Sequence, residues 1–281
     1  MKNSHFARVS LVFSLSLAAI LAGCCINIGC AMRARYETTV QLSAPLSAGS
    51  TFAAQTHNGS ITIEGADVSD CSVTATIVGQ AGTEEEAQEI AEKTKVTLEP
   101  SGNTLTAKIE KPTLRMNQSV SVSLDITVPN KTNLKLTTHN GAVEITNITG
   151  TIDAITHNGK VTATAVDGSA TLETHNGSIT SREISGDAQL KTHNGSVKAF
   201  YSEAAQSVCN ISIVTYNGSI EFAAPPDFSG HVRASTSNGS VHTDLPITIS
   251  GKMSKSEITG TIGTGEGKLH LETHNGSIRI K

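Results

Sequence analysis

Residues 138–195 read THNGAVEITNITGTIDAI, THNGKVTATAVDGSATLE, THNGSITSREISGDAQLK and THNG, so one tetrapeptide returns every 18 residues and sets histidines at 139, 157, 175 and 193. A fixed period of this size marks a coiled repeat architecture, not a globular enzyme whose residues are each used once. Two further copies stand at Thr56–Gly59 and Thr273–Gly276. Two variants keep the frame, Thr215-Tyr216-Asn217-Gly218 and Thr236-Ser237-Asn238-Gly239.

The period is a doubled nine, because glycines fall at 141, 150, 159, 168, 177, 186 and 195. Asn140-Gly141, Asn158-Gly159, Asn176-Gly177 and Asn194-Gly195 read as turns, with the glycines expected at positive φ. Two residues after each glycine comes Val143, Ile152, Val161, Ala170, Ile179, Ala188 or Val197. Two further on stands Ile145, Ala154, Ala163, Leu172, Ser181, Leu190 or Ala199. That spacing puts both positions on one face of a short strand. Each nine-residue unit is then one turn and one strand, and two units make a coil. The reading is all-β: a right-handed parallel β-helix or β-solenoid of about 18 residues per coil, its strands hydrogen-bonded coil to coil.

Composition agrees. Aromatics are 3% of 281 residues and tryptophan is absent, as a thin core of Val, Ile, Leu, Ala and Thr requires. A net charge of −4, with no cluster of basic residues, argues against nucleic acid. Regularity loosens away from the centre. Residues 51–130 are irregular, 131–200 carry regular coils and 201–281 looser ones. Insertions near 200–206 and 223–228 should bulge, the 37 residues between Gly239 and Gly276 span nearly two coils, and 257–281 closes the stack. One short helix is expected over Thr83–Lys95, opened by a Thr83-x-x-Glu86 capping box and covering one end of the solenoid.

The first 23 residues read as a signal peptide, with Lys2 and Arg8 ahead of an apolar run from Leu11 to Ala22. Leu21-Ala22-Gly23-Cys24 resembles the bacterial lipobox, which implies lipidation at Cys24, with a membrane-proximal tether and first strand over 24–50. An uncleaved anchor is the other reading, since no formal charge lies between Arg8 and Arg33. Both export the chain to the bacterial cell envelope, periplasmic or surface-facing, with membrane lipid as its first partner. Of five cysteines none form a Cys-x-x-Cys pair, and Cys71 and Cys209 read as two separate buried thiols, with a disulfide between them in an oxidising compartment as the alternative.

The strand-and-turn run Thr56–Ile63, the helical segment 84–93, the strand Val120–Pro129, the Thr-x-Asn-Gly coils and the closing 258–278 together resemble the bacterial β-strand-repeat family labelled "putative adhesin", related to the auto-transporter adhesin head-domain group. The resemblance implies a β-solenoid tethered to an envelope and supplies no catalytic residue. It points to a non-enzymatic structural or adhesin-like surface of residues 51–281, without cofactor, meeting an envelope polymer, glycan or protein. The alternatives are a carbohydrate-active β-helix enzyme and an envelope-stress sensor.

The row His139, His157, His175 and His193 has three readings. It is a tolerated turn position, a set of imidazoles close enough for neighbours to share zinc, or a ligand-facing comb. No recurrent carboxylate accompanies the row, which speaks against metal. Ile148, Val166 and Ile184 occupy the matching position in the other half-coil and look buried, so the histidines are expected to be partly buried.

Overall fold

The computed structural model describes residues 34–281; the signal peptide, Cys24 and the rest of residues 24–33 lie outside the described residues. The N-terminal part comprises β1 (Ala34–Pro45), β2 (Thr51–Gln55), β3 (Ile61–Ala66), β4 (Asp70–Ala81), α1 (Glu84–Lys93), β5 (Lys95–Ser101), β6 (Thr104–Glu110) and β7 (Ser119–Pro129). The regular coils are β8 (Asn133–Asn140), β9 (Val143–Thr149), β10 (Ile152–Asn158), β11 (Val161–Asp167), β12 (Ala170–Asn176), β13 (Ile179–Ile184), β14 (Ala188–Asn194) and β15 (Val197–Tyr201). The chain finishes with β16 (Asn210–Asn217), β17 (Ile220–Ala223), β18 (Gly230–Asn238), β19 (Val241–Thr243), β20 (Thr248–Met253), β21 (Glu257–Ile262), β22 (Gly267–Asn275) and β23 (Ile278–Ile280).

Through the regular coils the chain alternates between two sheets, one of 11 strands and one of 12. In the 12-stranded sheet Ile152 lies between Leu134 and Ala170 in parallel register, one repeat away on each side. In the 11-stranded sheet Val161 lies likewise between Val143 and Ile179. The apolar positions picked out by the nine-residue spacing are buried in both sheets, including Val143, Ile152, Val161 and Leu172. The core is not free of aromatics, since Phe52 and Phe222 are wholly enclosed.

The two half-coils are not equivalent. Simple alternation from Val143 and Ile145 would send residue 147 inward and residue 148 outward. Instead Asn147, Ala165 and Glu183 take left-handed backbone with φ of 58°, 54° and 55°. The register steps over them, passing from Thr146↔Thr164 to Ile148↔Val166, as it also steps over the histidines in the other sheet, from Thr156↔Thr174 to Asn158↔Asn176, so the left-handed backbone and not the register sets the two half-coils apart. One bulge per coil thus re-aims Ile148, Val166 and Ile184 into the core. No such left-handed residue occurs at His139, His157, His175 or His193, and these side chains are exposed rather than partly buried.

Glycine at the Asn-Gly corner also has a different reason from the one expected. Gly141, Gly159, Gly177 and Gly195 do not have positive φ. A Cβ at Gly159 would instead strike the carbonyl oxygen of Gly141, and the same holds from each corner glycine to the coil before it. Close backbone approach, not turn handedness, excludes a side chain.

At the N-terminal end, the coil formed by β2 and β3 stacks directly on β8 and β9, across a long gap in sequence. Parallel β6 and β7 extend the stack outward, and β5, β4 and β1 then add antiparallel strands. Helix α1 packs on β4 and β1 and buries Ala87, Ile90 and Ala91. Its N-cap is Thr83, whose hydroxyl accepts from the Glu86 N–H at 3.2 Å.

The C-terminal end corrects two expectations. The residues between Gly239 and Gly276 do not form nearly two coils: β20 and β21 are an antiparallel hairpin laid on β18. The final strands do not close the stack either. β22 inserts between β16 and β18, and β23 between β17 and β19. The expected bulge between β15 and β16 is present as a loop.

Candidate functional site: a ladder of stacked rings

Each residue of Thr-x-Asn-Gly has a separate task. The threonine is buried, and its hydroxyl donates to a glycine carbonyl of the neighbouring coil: Thr156 to Gly141 at 2.9 Å, Thr174 to Gly159 at 2.9 Å and Thr192 to Gly177 at 2.8 Å. The asparagine joins an amide ladder in which Asn158 Nδ2 donates to Asn140 Oδ1 and Asn176 to Asn158, each at 2.8 Å. The ladder runs unbroken through Asn58, Asn140, Asn158, Asn176, Asn194, Asn217, Asn275 and Asn238. Each rung satisfies one amide donor and one acceptor, as in cross-β stacks. The glycine admits the next coil.

The second position of the motif enters none of these bonds, and its side chains form the candidate site. His139, His157 and His175 stack face to face with centroids 4.7 and 4.8 Å apart and planes within 2° of parallel. The stack continues to His193 at 4.9 Å and reaches His57 at 4.8 Å on the other side. Tyr216 then stacks on His193 at 4.9 Å, and His274 on Tyr216 at 4.6 Å. The row is therefore seven rings, not four, and spans roughly 29 Å if the spacings are laid end to end. Tyr216 signals retention of a planar ring rather than tolerance of any residue. Ser237, in register beside His274, ends the row. The shared Thr-x-Asn-Gly frame carried the information needed to place Tyr216 in the ladder.

Beside the rings lies a groove of about 670 Å³, lined by His57, His139, His157 and His175 together with Lys108 and Lys111. Ile155, 39% exposed, supplies apolar floor. A further hollow of about 430 Å³ continues along His175, His193, Tyr216 and His274, where Lys191 pairs with Glu173 at 3.2 Å. Partial burial lowers the Lys111 ammonium from its ordinary value.

The ring geometry bears on the zinc reading. In parallel stacked imidazoles the nitrogen lone pairs lie in parallel planes and do not converge, so sharing a metal requires the rings to rotate. Among the described residues no group of three or more His, Cys, Asp or Glu is placed to hold a metal ion. Cys71 and Cys209 are free and buried. Burial pushes the Cys71 thiol up to about 12, and burial followed by the Asp187 charge takes Cys209 to about 11, so neither offers a reactive thiolate.

A β-solenoid whose exposed corner carries a ladder of rings is the class of protein these features define. Residues 166–281 match the family model described as Toastrack DUF4097, which bears out the resemblance read from the repeats. No curated protein matches the sequence. Two solved structures are similar. One, a "putative cell adhesion protein" from Clostridium sporogenes ATCC 15579, is 12% identical with a TM-score of 0.41, over 89% of this chain and 99% of that one. The other, a "putative adhesin" from Bacteroides fragilis NCTC 9343, is 13% identical with a TM-score of 0.28, over 87% and 97%.

Proposed function

We propose that the chain is a non-enzymatic, envelope-anchored lipoprotein whose ring ladder and adjoining groove form an adhesin-like surface for an extended envelope polysaccharide. One observation carries the reading. Seven planar rings stand in a solvent-facing row whose side chains enter neither the threonine and asparagine hydrogen bonds of the coil nor its core. Stacked face to face, the rings cover one another's faces and turn their edges, with imidazole nitrogens and a phenol hydroxyl, outward, a comb suited to the hydroxyls of a sugar polymer. A linear polymer fits a straight ladder better than a compact ligand does.

The Toastrack match over residues 166–281 supports an adhesin-like role at the level of family. Tethering follows from the lipobox reading at Cys24, and lipid on that cysteine would hold the solenoid at a membrane. A carbohydrate-cleaving role would call for two carboxylates facing each other across the polymer. The larger groove has a single carboxylate, Glu173, which is engaged by Lys191.

The test is retention on an array of neutral, anionic and cationic polysaccharides. The wild-type chain is compared with one in which His139, His157, His175 and His193 are serine. Retention of the wild type on at least one polymer, lost in the variant, is the expected result. Equal retention of the two chains returns the ladder to scaffold status. For the anchor, a fatty-acid label should enter the wild-type chain in cells and be absent from Cys24→Ala; equal labelling of both would remove Cys24 from the account.

A further inference from the structure

Eight Asn-Gly pairs occur in the sequence, all at corners of the coil. Asn-Gly is the dipeptide most open to spontaneous deamidation, because glycine leaves its own nitrogen unhindered. That nitrogen loses its proton to water and bonds to the asparagine Cγ; ammonia leaves, and the resulting succinimide is opened by water to aspartate or isoaspartate. The step consumes one water and releases one ammonia. It needs a glycine N–H that can be deprotonated and an amide carbon free to swing toward it.

Seven of the pairs are held on both counts. The N–H groups of Gly59, Gly141, Gly159, Gly177, Gly195, Gly218 and Gly276 each donate to an asparagine carbonyl of the adjoining coil, at 2.9 to 3.1 Å. The side-chain oxygens of the asparagines before them each accept from the next rung of the amide ladder, at 2.7 or 2.8 Å. Reaction there requires three hydrogen bonds to break in a packed stack: these two and the one that the asparagine Nδ2 itself donates.

Asn238-Gly239 differs on both counts. Asn238 is the last rung: its Nδ2 donates to Asn275 Oδ1 at 2.8 Å, but among the described residues no donor reaches its own Oδ1. The β20–β21 hairpin lies over this edge and takes the N–H of Thr236 on Ser256 and that of Val241 on Lys255, both at 2.9 Å. It bridges the corner between them, and the Gly239 N–H has no acceptor among the described residues. Asn238 and Gly239 are both exposed.

We propose that Asn238 is the deamidation site of the folded chain, reacting with Gly239 and water and without an enzyme. The product removes the donor that faces Asn275 Oδ1 and puts a carboxylate against that oxygen. Isoaspartate also adds a backbone methylene beside Gly239, whose α-carbon packs on the Gly276 carbonyl. The change is irreversible and loosens the outermost coil, so it acts as a chemical clock at the end of the stack.

The full chain, folded, is aged at mildly alkaline pH, digested and mapped by mass spectrometry for the one-dalton gain. A sample aged in urea gives the unfolded reference, and Asn238→Gln checks the assignment. In the folded chain Asn238 is expected to convert about tenfold faster than any of the other seven, because their conversion waits on local opening. In urea all eight should convert at similar rates, and the Asn238→Gln chain should lack the fast phase. A folded chain that converts another Asn-Gly first, or Asn238 no faster than the rest, overturns the proposal.

Discussion

At the residue scale, each position of the repeated tetrapeptide answers to a different force. Threonine buries a hydroxyl that finds a carbonyl, asparagine builds the amide ladder, and glycine is fixed by the nearness of the next backbone. Gly159→Ala should cost at least about 2 kcal/mol in urea unfolding, because the new methyl meets the Gly141 carbonyl and cannot move aside. The opposite sign is expected at the bulge. Ala165 holds a left-handed conformation that costs roughly 1–3 kcal/mol for a residue with a side chain. Glycine removes that strain at an entropic cost of about 0.5–1 kcal/mol, so Ala165→Gly should raise the urea midpoint. The bulge was not legible in advance, because Asn147, Ala165 and Glu183 share no chemistry that marks a left-handed site. Their neighbours Ile148, Val166 and Ile184 did give the burial correctly, and wrongly implied burial of the histidines. That inference assumed two equivalent half-coils, and only one of them bulges. A titration belongs at this scale too. The Cys71 thiol is raised from 9.0 to about 12 by burial, so the stability it protects is intact below pH 9 and is lost as pH rises toward 12. Melting temperature should fall over that range, and fall less steeply in Cys71→Ala; identical slopes would sink this assignment.

At the element scale, periodicity located most strands and the capping box located the helix, because both signals are local. The order of strands was not local. The β2–β3 coil joins β8–β9 across α1 and several strands, and the chain ends by inserting β22 and β23 inside the stack. Nothing in a run of alternating residues states which neighbour it will meet, and parallel coils with the same Thr-x-Asn-Gly edge are interchangeable partners on pattern alone. The insertion has a measurable consequence. β22 lies near the C-terminus but is bonded on both sides, by β16 and β18, whereas β20 is an edge strand bonded only to β21. Hydrogen exchange should therefore be slow in Leu269–Thr273 and fast in β20. Fast exchange throughout 267–281, as expected of a fraying terminus, would contradict the topology.

At the scale of the whole molecule, two sheets share a thin core and each end is finished differently. Antiparallel strands and α1 cover the N-terminal end, while a hairpin covers one sheet at the other end. Both devices answer the exposed edges that a stack of coils otherwise presents. The ring ladder is the long feature that remains on the surface between them. It was partly legible as a row of four histidines; its full length emerged only when stacking brought in His57, Tyr216 and His274.

The most direct test of the ladder's role records the histidine-ring resonances of the chain while soluble envelope polysaccharide is added. Two histidines outside the ladder and its hollows, His231 beside Thr261 and His242 beside Ser240, serve as internal controls. The account predicts progressive shifts at His139, His157, His175 and His193 with the two controls unmoved. Shifts led by the controls, or no change at any ring at saturating polymer, would contradict it.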